Sequence, residues 1–203
     1  MTQPRSPIPL TGDEPFRAGQ SPLGFTLRDF WQWAASDLVG NSLRGIVAEF
    51  LVAQAMGCAK GCRVEWDAYD LRTTSGVRLE VKAAGYVQRW AQRGDSSPSF
   101  DIAAKRSWDA ATNTYAGQPL RPADVYVFAL HAHRERSTID PLDVRQWEFF
   151  VLRTRVLDDR CANQKRIGLN RFKALGAGSV TFAALRAAIE AEARGCHSSP
   201  QAV

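Results

Sequence analysis

Apolar positions along the chain form two helical stripes, a stretch of strand-like alternation, two dense strand runs and a helical close. In FTLRDFWQWAASDL, Leu27, Phe30, Trp31, Ala34 and Leu38 recur at helical spacing behind a capping Thr26, which predicts a packed helix. GNSLRGIVAEFLVAQAMG repeats the stripe with Leu43, Ile46, Val47, Phe50 and Ala53, starting at Asn41 or Ser42 and stopping at Gly57. Between CRVEWDAYDLRT and VRLEVKAAGY the period becomes two, predicting a hairpin. After a polar Gly/Ser stretch at 91–99, a short strand is predicted at SFDIAA, then strands at ADVYVFALH and QWEFFVLRTRV around the charged loop HRERSTIDPLD. QKRIGLNRFKALG and TFAALRAAIEAEARG read as helices, the second capped by Thr181. This order contains no internal repeat and predicts an α/β or α+β sandwich, a central mixed β-sheet flanked by helices.

The 203 residues fit one domain, expected over 23–194, with a Pro-rich polar segment at 1–22 and a tail at 195–203 expected to be flexible. The first 22 residues hold no apolar run of signal-peptide length and nothing later approaches a membrane span, so a cytoplasmic protein without a membrane partner is expected. A formal charge of +5 and a pI near 9.3 favour a polyanionic partner, although such a surplus also occurs in proteins that bind none. Cys58, Cys62, Cys161 and Cys196 lack zinc-finger spacing and read as structural. His131 and His133 share a strand face as two metal ligands would, yet no other His lies nearby in sequence and the end of a strand facing the surface accounts for them better.

The hairpin carries the chemistry. A three-residue loop Thr74-Ser75-Gly76, with Gly in the left-handed position, sets Thr73 against Val77, Leu71 against Leu79 and Asp70 against Glu80. The two carboxylates then share a face at a β-carbon separation of roughly 4.5–5.5 Å, with Lys82 next to them. Alternation adds Val64, Trp66 and Ala68 to that face and gives Tyr69, Leu71, Val77, Leu79 and Val81 to the other, so the pair reads as buried on both sides. Opposed like charges in such a place are destabilising unless a cation lies between them, and a divalent metal meets that need. Asp67 points to the opposite face. A two-residue loop at Ser75-Gly76 would instead shift the register by one and separate Asp70 from Glu80. Glu49, at the rim of the second helix's apolar stripe, is either a further ligand or a solvated side chain.

A helix bearing an acid, a strand ending in Asp70, a hairpin, and the tripeptide Glu80-Val81-Lys82 together resemble the PD-(D/E)XK nuclease superfamily, the restriction-endonuclease-like fold, over roughly residues 40–130. Glu80-Val81-Lys82 is the only D/E-x-K tripeptide in the chain, and Tyr69 stands where that family carries proline. The resemblance implies hydrolysis of phosphodiester bonds, expected to be those of DNA in repair, restriction or defence, with Mg²⁺ as cofactor and Mn²⁺ as a substitute. It implies that Asp70 and Glu80, and Glu49 if it belongs to the site, hold the metal, and that Lys82 stabilises developing charge. Gln88 matches a glutamine that many members carry after the lysine. Arg72, Arg78, Arg89, Arg93, Lys105 and Arg106 surround these residues in sequence and are expected to hold phosphates. The same fold can also serve as a catalytically silent nucleic-acid-binding or assembly module, and a homodimer is compatible with either.

Overall fold

The computed structural model describes residues 7–63, 68–106, 108, 109, 114, 115 and 117–195. In chain order the elements are β1 (Pro15–Ala18), β2 (Ser21–Thr26), α1 (Leu27–Ala35), α2 (Asn41–Met56), β3 (Leu71–Arg72) and β4 (Arg78–Gly85). They continue with β5 (Ser99–Asp101), β6 (Trp108–Asp109), β7 (Thr114–Tyr115), β8 (Val125–His131) and β9 (Trp147–Arg153). The chain closes with α3 (Thr154–Cys161), β10 (Arg166–Gly168), α4 (Leu169–Ala174) and α5 (Phe182–Arg194).

The central sheet runs β3-β4-β8-β9, antiparallel at both ends and parallel between β4 and β8. It is the mixed sheet, flanked by helices, that the order of elements predicts. Every residue of β8 is buried, which explains why its sequence is apolar without alternation. Alternate positions feed two cores. Leu79, Val81, Val127 and Phe149 pack with Ala48 and Val52 of α2 and Leu185 and Ile189 of α5. Phe128, Leu130 and Phe150 pack on the other side with Phe100, Leu157, Ile167 and Phe172. Each such side chain taken from water contributes about 1.5–3 kcal/mol, so both faces of the sheet are anchored.

Several expectations are corrected. Residues 15–26, partly within the segment expected to be flexible, form a β1-β2 hairpin. Helix α1 buries no residue fully, and its apolar stripe joins neither core, although the Trp31 ring lies against Gly12. Strand β3 is a two-residue edge strand rather than half of a central pair. QWEFFVLRTRV leaves the sheet after Arg153 and turns into α3, where the Thr154 hydroxyl donates to the Ala123 carbonyl at 2.5 Å. QKRIGLNRFKALG divides into β10, paired with β5, and the short α4. His131 is not surface-facing but 1% exposed, with its ring centroid 4.8 Å from that of Trp147. Val64, Trp66, Asp67 and Cys196 lie outside the described residues, and Cys58, Cys62 and Cys161 are free. Among the described residues no helix is long and apolar enough to cross a membrane.

Candidate active site

The β3-β4 connection adopts the three-residue turn. Gly76 takes φ +89°, a left-handed conformation that glycine adopts without strain, and the Thr73 amide donates to the Val77 carbonyl at 2.9 Å. Leu71 consequently pairs with Leu79 and Arg72 with Arg78. Within β4, Leu79 and Val81 turn toward α2 and α5, while Glu80 and Lys82 stand on the opposite face. Their side chains are 14% and 20% exposed, and Lys82 Nζ donates to Glu80 Oε1.

At Asp70 the ladder changes character. Its amide donates to the Leu79 carbonyl at 3.1 Å, and its own Oδ2 accepts the Val81 amide at 2.7 Å. The carboxylate thus occupies the place a strand carbonyl would take, at the edge of the sheet beside Glu80. Electrostatics tie the three groups together. Burial raises the Glu80 pKa, and the nearby Asp70 charge adds to it against the opposing pull of Lys82 and Lys105. Burial works against the Lys82 charge, but Glu80, Asp70 and Asp101 outweigh it and hold that pKa above its ordinary value.

Asp101 is a member of this cluster that sequence reasoning missed. It ends β5 and pairs with Lys105 at 2.9 Å, and its charge reaches Lys82. Burial opposes its ionisation, yet Lys105, the Ala103 amide and Lys82 bring its pKa below the usual carboxylate range. Tyr126, which pairs with Glu80 across β4 and β8, is also new to the site; its hydroxyl pKa is raised by burial and then by the Glu80 charge. Only the DIAAK spacing, which puts Asp101 and Lys105 four apart, hints at this group in the sequence.

The remaining predicted residues fall elsewhere. Glu49 projects from α2, the helix on the Leu79 and Val81 side of the sheet, and is held by Arg63 at 2.5 and 2.9 Å. It shares a hollow of about 410 Å³ with Asp70 but not with Glu80 or Lys82. Among the described residues no three His, Cys, Asp or Glu side chains group as a metal site, so Glu49, Asp70 and Glu80 do not form a triad. Gln88 lies beyond the end of β4, buried, donating to the Gly85 carbonyl at 2.8 Å and accepting from Arg44 at 3.2 Å. It therefore supports Arg44 and does not continue the Lys82 face. Arg78 is engaged by Asp124, Arg89 by Asp37 and Lys105 by Asp101, whereas Arg72, Arg93 and Arg106 are exposed and make no ion pair among the described residues.

Asp70, Glu80 and Lys82 thus lie together where β3 meets β4 in the mixed sheet. The chain matches the sequence family of bacteriophage T4 endonuclease IV over residues 30–167, well over half its length. It belongs to that family, which is a nuclease family. No curated protein matches it.

Proposed function

We propose that this protein is a metal-dependent endonuclease of the PD-(D/E)XK type that hydrolyses phosphodiester bonds in DNA. The observation that carries the reading is the convergence of Asp70, Glu80 and Lys82 at the β3-β4 edge in a chain of a nuclease family. The donor set suits Mg²⁺, a hard cation that takes one or two carboxylates and completes its shell with water and substrate phosphate. Asp70 keeps Oδ1 and Glu80 keeps Oε2 without a hydrogen-bond partner among the described residues, so each has an oxygen to offer. A bound metal would supply Lewis-acid polarisation of the scissile phosphate and a more acidic water.

The chain's own residues do the rest. Asp70, fixed by the Val81 amide, presents its free oxygen in a set direction. Lys82 serves as counter-charge to Glu80 in the metal-free chain, and on release from Glu80 its ammonium is placed to stabilise charge developing on a phosphate oxygen. The exposed Arg72, Arg93 and Arg106 are free to hold backbone phosphates. The Lys82–Glu80 ion pair, which neutralises Glu80 without a metal, favours, as second reading, a catalytically silent nucleic-acid-binding module.

The test is incubation of the purified chain with linear, circular and single-stranded DNA and with RNA, under Mg²⁺, Mn²⁺ or EDTA. Cleavage of DNA that requires the metal and disappears in Asp70→Asn, Glu80→Gln and Lys82→Ala is expected. Nucleic-acid binding without cleavage under any metal would overturn the catalytic reading in favour of the silent module.

A further inference from the structure

Residues 7–36 build an arm that has structure but no core of its own. The Thr26 amide and hydroxyl donate to Asp29, starting α1, and the Leu27 and Arg28 amides donate back to Glu14 and Gly12. Yet no residue from Pro15 to Ala35 is buried. A two-stranded hairpin and a nine-residue helix are each marginal alone in water. This arm also turns outward Phe16, Phe25, Phe30 and Trp31, each 39–47% exposed, and Trp33, 85% exposed. The family match begins only at Phe30 and leaves the hairpin unaccounted for.

A second apolar surface lies on α2, where Ile46 and Phe50 are 40% and 55% exposed on the wall of the 410 Å³ hollow that Tyr69 and Leu71 also line. We propose that a second copy of this chain covers both surfaces: each arm lies on the α2 face of its partner, with Trp33 as the anchor in the hollow. Three observations select that occupant. At roughly 200 Å² per large side chain, the exposed fractions on the arm and on α2 amount to about 700 Å² per copy, close to the roughly 800 Å² each partner gives to a standard specific interface. Arm and receptor face belong to the same chain, so a two-fold exchange buries both at once. The arm is also the wrong charge for nucleic acid. Residues 7–36 carry Asp13, Glu14 and Asp29 against Arg17 and Arg28 in a chain of net charge +5, and Arg28 is already paired with Asp13 at 2.5 Å.

Sedimentation velocity of the full chain should show a species of twice 22.4 kDa that dissociates on dilution. The double variant Trp33→Asp, Phe25→Ser and the separate variant Phe50→Asp should each be monomeric with an unchanged circular dichroism spectrum. Their equimolar mixture should regain a weaker dimer, because one intact arm still meets one intact α2 face. A monomeric wild-type protein, or a dimer indifferent to either variant, would overturn the proposal. So would monomers throughout with loss of DNA affinity in the arm variant, a result that assigns the surface to nucleic acid. If a variant unfolds, hydrogen exchange of the wild-type chain decides: protection of the amides of residues 15–35 that rises with concentration supports the exchange, and constant protection refutes it.

Discussion

Replacing Lys82 by alanine removes the cation nearest a carboxylate that burial already disfavours. Breaking a buried ion pair from one side costs about 3–5 kcal/mol because the remaining charge is stranded. Here Glu80 and Lys82 keep 14% and 20% exposure, and Glu80 can relieve part of the penalty by taking up a proton, so about 2 kcal/mol is expected in the metal-free protein near neutral pH. For a chain of this size that corresponds to a fall in melting temperature of about 4–8 °C. A divalent ion on Asp70 and Glu80 would neutralise the stranded charge. Thermal unfolding of wild-type and Lys82→Ala protein, in EDTA and in saturating Mg²⁺ or Mn²⁺, should therefore show a large gap without metal and a small one with it. An equal gap in both conditions would refute metal binding at Glu80. No gap in either would refute the ion pair as a stabilising contact.

His131 has its pKa held down to about 4, by burial first and by Arg44 next, against 6.5 in the unfolded chain. The neutral ring's contribution is thus full above pH 6.5 and is lost as pH falls toward 4, by up to about 3 kcal/mol. Urea unfolding of wild-type and His131→Phe protein at both ends of that window should show the difference, and a pH-independent offset would refute it. Arg44 is 2% exposed and donates to Val39 and Val87 carbonyls at 2.5 and 2.8 Å and to Asn41 and Gln88 side chains at 3.2 Å. Arg44→Met should cost about 3 kcal/mol by stranding these acceptors, and a loss below about 1 kcal/mol in the same assay would sink that account. Arg72→Ala and Arg93→Ala should each flatten the salt dependence of DNA binding by about one unit, while Arg78→Ala and Arg89→Ala, whose guanidinium groups are already committed, should change it less; the reverse order in fluorescence anisotropy would refute the assignment.

What the sequence made legible was local. The Thr74-Ser75-Gly76 loop specifies its turn because only a left-handed Gly76 closes it, and that turn sets Leu71 against Leu79. Glu80 and Lys82 share a face because alternation over two residues leaves no choice. Long-range pairings left no comparable mark. Asp101 enters the site because β5 pairs with β10, some sixty-five residues later, and nothing in SFDIAA announces that partner. Gln88 falls away because β4 ends at Gly85, against which the Arg44 guanidinium packs so closely that a β-carbon there would lie 3.1 Å from its Cζ. A buried arginine held by two backbone carbonyls and two side-chain oxygens looks, in sequence, like any helix arginine. The stripe of α1 signals an apolar face correctly, but a stripe does not say what it packs on, and α1 joins neither core of this chain.

The same reasoning explains why Asp70 sits where it does. Had β3 extended two residues further back as a regular strand, the Tyr69 carbonyl opposite would take the Val81 amide and the Asp70 side chain would be released to rotate. Because the strand stops at Leu71, the carboxylate itself fills that position with a charge-assisted hydrogen bond, a contact worth about 1.5–3 kcal/mol. The edge strand is short where a longer one would be more stable, and the stability forgone appears as a fixed orientation for one oxygen of an acid beside Glu80. Asparagine at position 70 retains the oxygen that accepts from Val81 while removing the charge, whereas alanine removes both. The first substitution therefore isolates the chemistry of the site, and the second measures the strand edge that holds it.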